Sequence, residues 1–295
     1  MTEISKVGVL GCGLMGHGIT QICAQAGWDV VVREVDQERL DKGIAKIEKQ
    51  LAKATEKGKL EQADAEAIRG RITPTLDYAD LEGSDLVIEA ITEDLDAKLE
   101  MWREVDEAAG DAATFATNTS SLAVIDQAVA TSRPDRFLGL HFFNPPQVMK
   151  LLEVVQSVTT SKETLELGFS VGEQLGKTTV NAKDKTGFIV NRLLVPYMLD
   201  AIRAYEEGFG TIEEIDTAIV AGTGNPMGPL TLLDFVGLDT TKAIADVMFD
   251  EYREKRFAAP PTLRKMVSAG MFGRKSGKGF YDYSGSEPVP TELGL

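Results

Sequence analysis

Three glycines, Gly11, Gly13 and Gly16, follow the apolar run KVGVL at the spacing G-x-G-x-x-G, and six glycines in all fall between Val7 and Gly27. So much backbone freedom, placed between a strand-like segment and a helix-like one, constrains the chain more than any other feature. The three glycines have separate uses. Gly11 permits a tight turn, Gly13 lets a pyrophosphate approach the backbone, and Gly16 lets the following helix pack against the strand. The helix then presents unpaired N–H groups and the positive end of its dipole to the phosphates. Gly11, Gly13, Leu14, Met15 and Gly16 are therefore the cofactor-binding candidates of this loop.

Apolar runs that read as buried strands recur through the first half: KVGVLG, DVVVREV (29–35), DLVIEAI (85–91), TFATNT (114–119) and FLGLHFF (137–143), followed by LLEVVQSV (151–158) and KTTVNAKD (177–184). Helix-like stretches such as 15–26 and 94–108 lie between them. This alternation predicts an α/β domain, a doubly wound parallel sheet of the Rossmann type with both faces covered. Beyond about residue 186 the pattern becomes helical. It starts with GFIVNRLLVPYMLDAIRAYEEGFG, which Pro196 should kink, and no strand pattern returns before the tail GKGFYDYS. The reading is thus 1–185 for the nucleotide-binding domain and 186–295 for an all-helical one. The helical domain is apolar on more than one face, a pattern that suits a subunit contact and that a plain core also explains in large part.

The formal charge of −15 argues against nucleic acid and anionic membranes as partners, and no apolar run is long enough to span a bilayer. The N-terminus lacks a basic segment followed by an apolar core, so a cytoplasmic setting is expected. Two cysteines, Cys12 and Cys23, form neither a disulfide framework nor a metal cluster, and two histidines make a histidine-rich metal site improbable.

A dinucleotide site of this kind needs a carboxylate at the end of the second strand. Glu34 is there, 18 residues after Gly16; it would accept the adenosine ribose hydroxyls and repel a 2′-phosphate, which favours NAD over NADP. Arg33 beside it argues the other way, and Asp36 is a second acidic candidate.

His17 stands early in the first helix, on the pyrophosphate side, and is not read as catalytic. His141 ends the strand FLGLHF, where open parallel sheets place their ligands, and an imidazole there suits proton transfer near neutral pH. Glu153, twelve residues on in LLEVV, would be an ionisable group among apolar neighbours, and the imidazole is its natural partner. Asn118, Ser120 and Ser121 end another strand and Asn191 opens the helical domain; together they offer short hydrogen-bonding side chains on opposite walls of a cleft.

The helix-like stretch 39–60 runs against the acidic balance. Lys42, Lys46, Lys49, Lys53 and Lys57 recur at helical spacing on one face, while Leu40, Ile44, Ile47 and Leu51 form another. The lysine face suits a phosphate-bearing ligand.

Seven segments in order, GVLGCGLMGHGI, DLVIEAITEDLDAK, TNTSSL, LGLHFFNPPQVMKLLEVV, GFIVNRLL, NPMGPLTLLDFVGLD and GRKSGKGFYDY, resemble the L-3-hydroxyacyl-CoA dehydrogenases, in particular their short bacterial form, over nearly the whole chain. The resemblance implies hydride transfer between a 3-hydroxyacyl-CoA and NAD, with His141 as the catalytic base and Glu153 as its partner. Ser120 and Asn191 would bind the reacting oxygen and Asn144 the nicotinamide end. Glu93, Lys98 and Lys275 match cofactor contacts, and Lys53 and Lys57 match positions proposed to meet the coenzyme A phosphates. It also implies a homodimer formed through the helical domain and a cleft that closes on substrate. Two positions depart from the pattern: Thr186 replaces the proline usual before GF, which bears on hinge stiffness, and Asn225 stands where relatives vary. A same-fold dehydrogenase of a small hydroxy or sugar acid, and a non-catalytic NAD-binding protein, remain the alternatives; the lysine face opposes the first and the His141–Glu153 pair the second.

Overall fold

The computed structural model describes residues 4–294. The chain divides into two compact units, Met1–Lys185 and Thr186–Leu295. The first contains β1 (Lys6–Leu10), α1 (Gly16–Gln25), β2 (Asp29–Arg33), α2 (Gln37–Glu56), α3 (Gln62–Gly70), β3 (Ile72–Thr75), β4 (Leu86–Glu89), α4 (Leu95–Ala108), β5 (Thr114–Thr117), α5 (Val124–Ala128), β6 (Phe137–Phe142), β7 (Leu151–Gln156), α6 (Lys162–Gln174) and β8 (Thr178–Lys183). Its eight strands form one sheet in the order β3-β2-β1-β4-β5-β6-β7-β8. The order reverses between β1 and β4, the crevice where such sheets bind dinucleotides, and the glycine loop leaves β1 at that point.

Burial explains the sequence of the strands. β4, β5 and β6 are buried along their full lengths, so they read as continuous apolar runs rather than alternating ones. Neighbouring residues still face opposite ways. Ala116 and Leu138 join the core formed with α1, α2 and α6, while Phe115 and Phe137 pack against Trp102 of α4, with ring centroids 5.2 and 4.8 Å away. The lysine-bearing helix α2 docks through Leu40, Ile44, Ile47 and Leu51, all buried.

The structure differs from the sequence reading in two strands. β3, with the sequence ITPT, was not anticipated. It is the edge strand, where Pro74 can occupy a ladder position without leaving an interior strand short of a donor. The sheet is also not wholly parallel: β7 runs antiparallel to β6, and β8 is parallel to β7. The connection over 143–150 is too short for a parallel crossover, so the chain turns back.

The second unit comprises α7 (Val190–Glu206), α8 (Ile212–Thr223), α9 (Pro229–Val236), α10 (Leu238–Tyr252) and α11 (Pro261–Ser268) around a core that includes Leu199, Ile202, Leu233, Leu263 and Phe280. α7 is continuous through Pro196. A two-stranded antiparallel ribbon, β9 (Tyr281–Asp282) with β10 (Val289–Pro290), accompanies the helices. Asp216 and Asp234 bind this unit together: Asp216 accepts from Leu230 N, Thr231 N and the Tyr281 hydroxyl, and Asp234 from Phe280 N, Tyr281 N and the Tyr283 hydroxyl. The NPMGPLTLLDFVGLD and GKGFYDY segments are thus complementary halves of one joint. Among the described residues, no helix is long and apolar enough to cross a membrane.

Candidate active site

The glycine loop has the form its sequence implies. Gly11 adopts a positive φ of 91°, and a Cβ on Gly16 would lie 1.8 Å from the Gly11 carbonyl oxygen. Gly13 faces open space, and Leu14 is 66% exposed. No side chain caps the N-terminus of α1 and no acidic residue occupies its first turn. These are the properties required by a bound pyrophosphate: an open approach and helix N–H groups carrying roughly half a positive charge. Gly43, which the sequence did not flag, lets α2 close on the loop, since a Cβ there would fall 2.3 Å from Cys12 Sγ. Burial, followed by the Glu34 charge, pushes the Cys12 thiol up to about 12.

The acidic residues at the end of β2 have distinct roles. Glu34 is buried and accepts hydrogen bonds from Cys12 N at 2.7 Å and Val35 N at 3.1 Å. These fix its carboxylate beside the loop with lone pairs remaining for ribose hydroxyls. Asp36 is instead the N-cap of α2, accepting from Arg39 N at 2.8 Å. Arg33 stacks on the Tyr78 ring, 3.9 Å from its centroid, and donates to the Leu76 carbonyl. Its guanidinium is thus already engaged with protein groups. The residues present fit NAD.

At the end of β4, the segment EAITEDLDAK folds into a charge cluster. Lys98 is 1% exposed and bonds to Glu89 Oε1 and Oε2 at 2.7 and 2.8 Å and to Glu93 Oε2 at 3.0 Å. Its three N–H donors are thereby all committed to protein carboxylates. Burial pushes the Glu89 carboxyl up, against the opposing effects of the Lys98 ammonium, the Thr117 hydroxyl and Ile91 N–H. For Glu93, burial is outweighed by Lys98 and by hydrogen bonds from Thr119 and Ser120, and its carboxyl lies below the usual value. Glu93 Oε1 accepts from the Thr119 hydroxyl, from Ser120 N at 2.9 Å, and from Ser121 N and Oγ at 3.2 Å. The cluster therefore shapes the loop that carries Ser120. Asn118, one position beyond β5, accepts from Phe142 N at 2.9 Å and ties the ends of β5 and β6 together.

His141 and Glu153 occupy directly opposed positions on the antiparallel strands β6 and β7. His141 Nδ1 lies 2.6 Å from Glu153 Oε2; the imidazole is 7% exposed and the glutamate side chain fully buried. The carboxylate accepts the Nδ1 proton, so the neutral ring carries its lone pair on Nε2. Phe143 packs on the imidazole with ring centroids 4.6 Å apart. The buried carboxylate thus fixes the tautomer of the imidazole. Asn144 follows on the exposed turn after β6, at the cis Asn144–Pro145 bond.

The first unit thus brings together the glycine loop, Glu34, the Glu93–Lys98 cluster beneath Ser120, and the His141–Glu153 pair, all at the carboxyl ends of parallel strands except Glu153. Lys53 and Lys57 lie exposed at the end of α2. Among the described residues, none of Lys46, Lys49, Lys53 and Lys57 makes an ion pair, whereas Lys42 bonds to Glu38. In the second unit, Asn191 sits in the first turn of α7, and Lys275 pairs with Asp239 at 2.5 Å.

Comparison with known proteins agrees with this geometry. Residues 6–185 match the family model of the 3-hydroxyacyl-CoA dehydrogenase NAD binding domain, and residues 187–283 match that of the 3-hydroxyacyl-CoA dehydrogenase C-terminal domain. The 3-hydroxybutyryl-CoA dehydrogenase of Mycobacterium tuberculosis is 46% identical over 285 residues, covering 95% of this chain and 99% of the relative. The human mitochondrial hydroxyacyl-coenzyme A dehydrogenase is 45% identical over 287 residues, covering 95% and 91%. The crystal structure of (S)-3-hydroxybutyryl-CoA dehydrogenase from Ralstonia eutropha superposes with a TM-score of 0.92 at 39% identity, covering 96% of this chain and all of that one. A Rossmann-type sheet built to hold NAD, a buried acid–base pair beside it, and matches to both domain models establish that this chain belongs to the 3-hydroxyacyl-CoA dehydrogenase family of NAD-dependent oxidoreductases.

Proposed function

We propose that the chain interconverts (S)-3-hydroxybutyryl-CoA and acetoacetyl-CoA, with His141 as general acid and base. NAD supplies the hydride acceptor when bound. In the oxidising direction His141 Nε2 takes the proton of the C3 hydroxyl, and in the reducing direction it returns one to the C3 carbonyl oxygen. Glu153 keeps Nδ1 protonated, so Nε2 is always the working nitrogen, and it stabilises the imidazolium once formed. The observation that carries this reading is the 2.6 Å bond between these two buried side chains. A carboxylate is left in a fully buried site only where a donor meets it, and binding NAD alone would require neither residue.

Ser120 is assigned a hydrogen bond to the substrate oxygen and Asn144 a contact at the nicotinamide end. Asn191, from the helical unit, is assigned a further bond to substrate, and Lys275 a contact to the cofactor. Lys53 and Lys57 are assigned to the phosphates of coenzyme A. Among the described residues neither makes an ion pair, and on an otherwise acidic protein this favours an acyl-CoA over a free hydroxy acid. The helical unit is the proposed homodimer contact; it leaves Leu193, Phe209 and Phe235 at least half exposed. A cytoplasmic location accompanies this reading.

The decisive experiment follows the oxidation of NADH and of NADPH at 340 nm (roughly the nicotinamide absorption maximum) with acetoacetyl-CoA, beside free acetoacetate. Turnover with acetoacetyl-CoA and NADH is the expected result. Activity confined to free acids would overturn the substrate assignment.

A further inference from the structure

His17, set aside as non-catalytic, is buried beside the glycine loop, and its ring joins a run of hydrogen bonds that leads to the turn after β6. His17 Nδ1 lies 2.6 Å from the Gly13 carbonyl oxygen. Its Nε2 lies 3.2 Å from Gln50 Nε2 on α2. Gln50 Oε1 accepts from Gln147 Nε2 at 2.6 Å, and the same Gln147 nitrogen lies 3.3 Å from Gln21 Oε1 on α1.

The direction of every link follows from its first member. A carbonyl can only accept, so Nδ1 carries the ring proton; Nε2 must then accept, so Gln50 presents its NH₂ to the ring and its oxygen to Gln147. Gln147 cannot turn over, because its amide nitrogen faces two amide oxygens. A proton on His17 Nε2 would set two donors against each other. Burial, with the Lys46 charge added, holds the ring below its usual basicity, in keeping with the neutral form. The turn sits hard against α1: a Cβ on Gly18 would lie 2.9 Å from both amide atoms of Gln147 and from Pro146 Cδ. His17 and Gln21 are buried and Gln50 and Gln147 partly buried, while Gly13 at the start of the run is exposed.

We propose that His17, Gln50 and Gln147 form a positioning relay, which fixes the turn bearing Asn144 against the pyrophosphate loop and so sets cofactor affinity without touching the reacting atoms. The relay ties the loop that meets the central pyrophosphate to the turn assigned to the nicotinamide end; its effect at that end rests on the role assigned to Asn144 above. A break at any link releases the same turn, so the links must act as one.

Two measurements test the relay. The chain has only two histidines, so imidazole ¹⁵N NMR of the labelled wild-type protein resolves His17 from His141. The relay requires His17 as the neutral Nδ1–H tautomer at neutral pH, the form less favoured in water; an Nε2–H ring would overturn it. Second, the dissociation constant for NADH is measured by fluorescence for Gln50→Leu, Gln147→Leu and the double variant. Each single change is expected to weaken NADH binding about three- to tenfold, the range one neutral hydrogen bond supports. The double variant should be no weaker than the weaker single one. Unaltered affinity, or losses that multiply in the double variant, would overturn the relay. Neither measurement involves an acyl substrate, so failure here is separate from failure of the proposed reaction.

Discussion

Lys98 and Glu89 form a bidentate ion pair with both side chains withdrawn from solvent, 1% and 0% exposed, at the end of β4. Breaking a buried pair of this kind costs about 3–5 kcal/mol, whereas an exposed helical pair such as Lys42–Glu38 is worth only about 0.3–0.5 kcal/mol. Lys98→Met would leave two carboxylates close together with no cation. It is expected to lower the unfolding free energy by about that larger amount, while Lys42→Met shifts it barely at all. Urea denaturation of both variants measures the difference.

The same cluster has a pH signature through Glu93. Its carboxyl is held below the ordinary value of 4.5 in the folded protein, so the folded state binds fewer protons there than the unfolded chain does. The stabilisation is present in full above the unfolded value and is lost as the pH falls through the folded one. Glu93→Gln should therefore be less stable than the wild type near neutral pH, with the gap closing as the solution is acidified past about pH 4. A constant gap across an acid titration followed by circular dichroism would contradict this.

His141→Gln should reduce kcat by about 10²–10⁴-fold, the usual contribution of general acid–base catalysis, with NADH affinity nearly intact. Glu153→Gln should approach the same loss by another route. Its amide can present an N–H to Nδ1, which favours the tautomer with the lone pair on the wrong nitrogen. Steady-state kinetics beside NADH titration separates these effects from damage to the nucleotide site.

Glu34→Ala should weaken NADH binding about ten- to a hundredfold, as expected when charge-assisted hydrogen bonds to a ribose are lost. Asp36→Ala should instead cost about 1 kcal/mol of stability as a helix cap, and Arg33→Ala should leave the preference for NADH over NADPH unchanged. Fluorescence titration with both cofactors, together with thermal melts, distinguishes the three.

Lys53→Ala and Lys57→Ala should each raise KM for acetoacetyl-CoA about two- to fivefold, the scale of exposed charge interactions. The effect should shrink as salt is added and vanish with an acetoacetyl thioester of pantetheine, which lacks the phosphates. Equal losses on both substrates would remove these lysines from the phosphate site.

Much of this site could be read from the sequence because its determinants are local. The glycine spacing, the carboxylate after β2 and the lysine face of α2 are each set within one turn or one element. What escaped depended on partners distant in the chain. β3 was hidden because an edge strand tolerates Pro74 and needs few apolar residues. The antiparallel return of β7 was available from the short connection over 143–150, which cannot accommodate a crossover helix. The commitment of all three Lys98 donors, and the separate tasks of Glu34, Asp36 and Arg33, emerge only when side-chain directions are known. Gly43 and Gln147 gave no signal of their own, since each matters for what another element brings against it.

Because His141 and Glu153 face each other across a single turn-back of the chain, their alignment is set by ladder register and not by the meeting of remote segments. Residues 137–156 carry both members of the pair on adjacent strands of one sheet. Insertions on either side of this segment should leave the pair matched, while a one-residue slip within it would throw the glutamate to the other face of the sheet. For anyone seeking to transplant proton-transfer chemistry into another open sheet, that hairpin is the natural piece to graft.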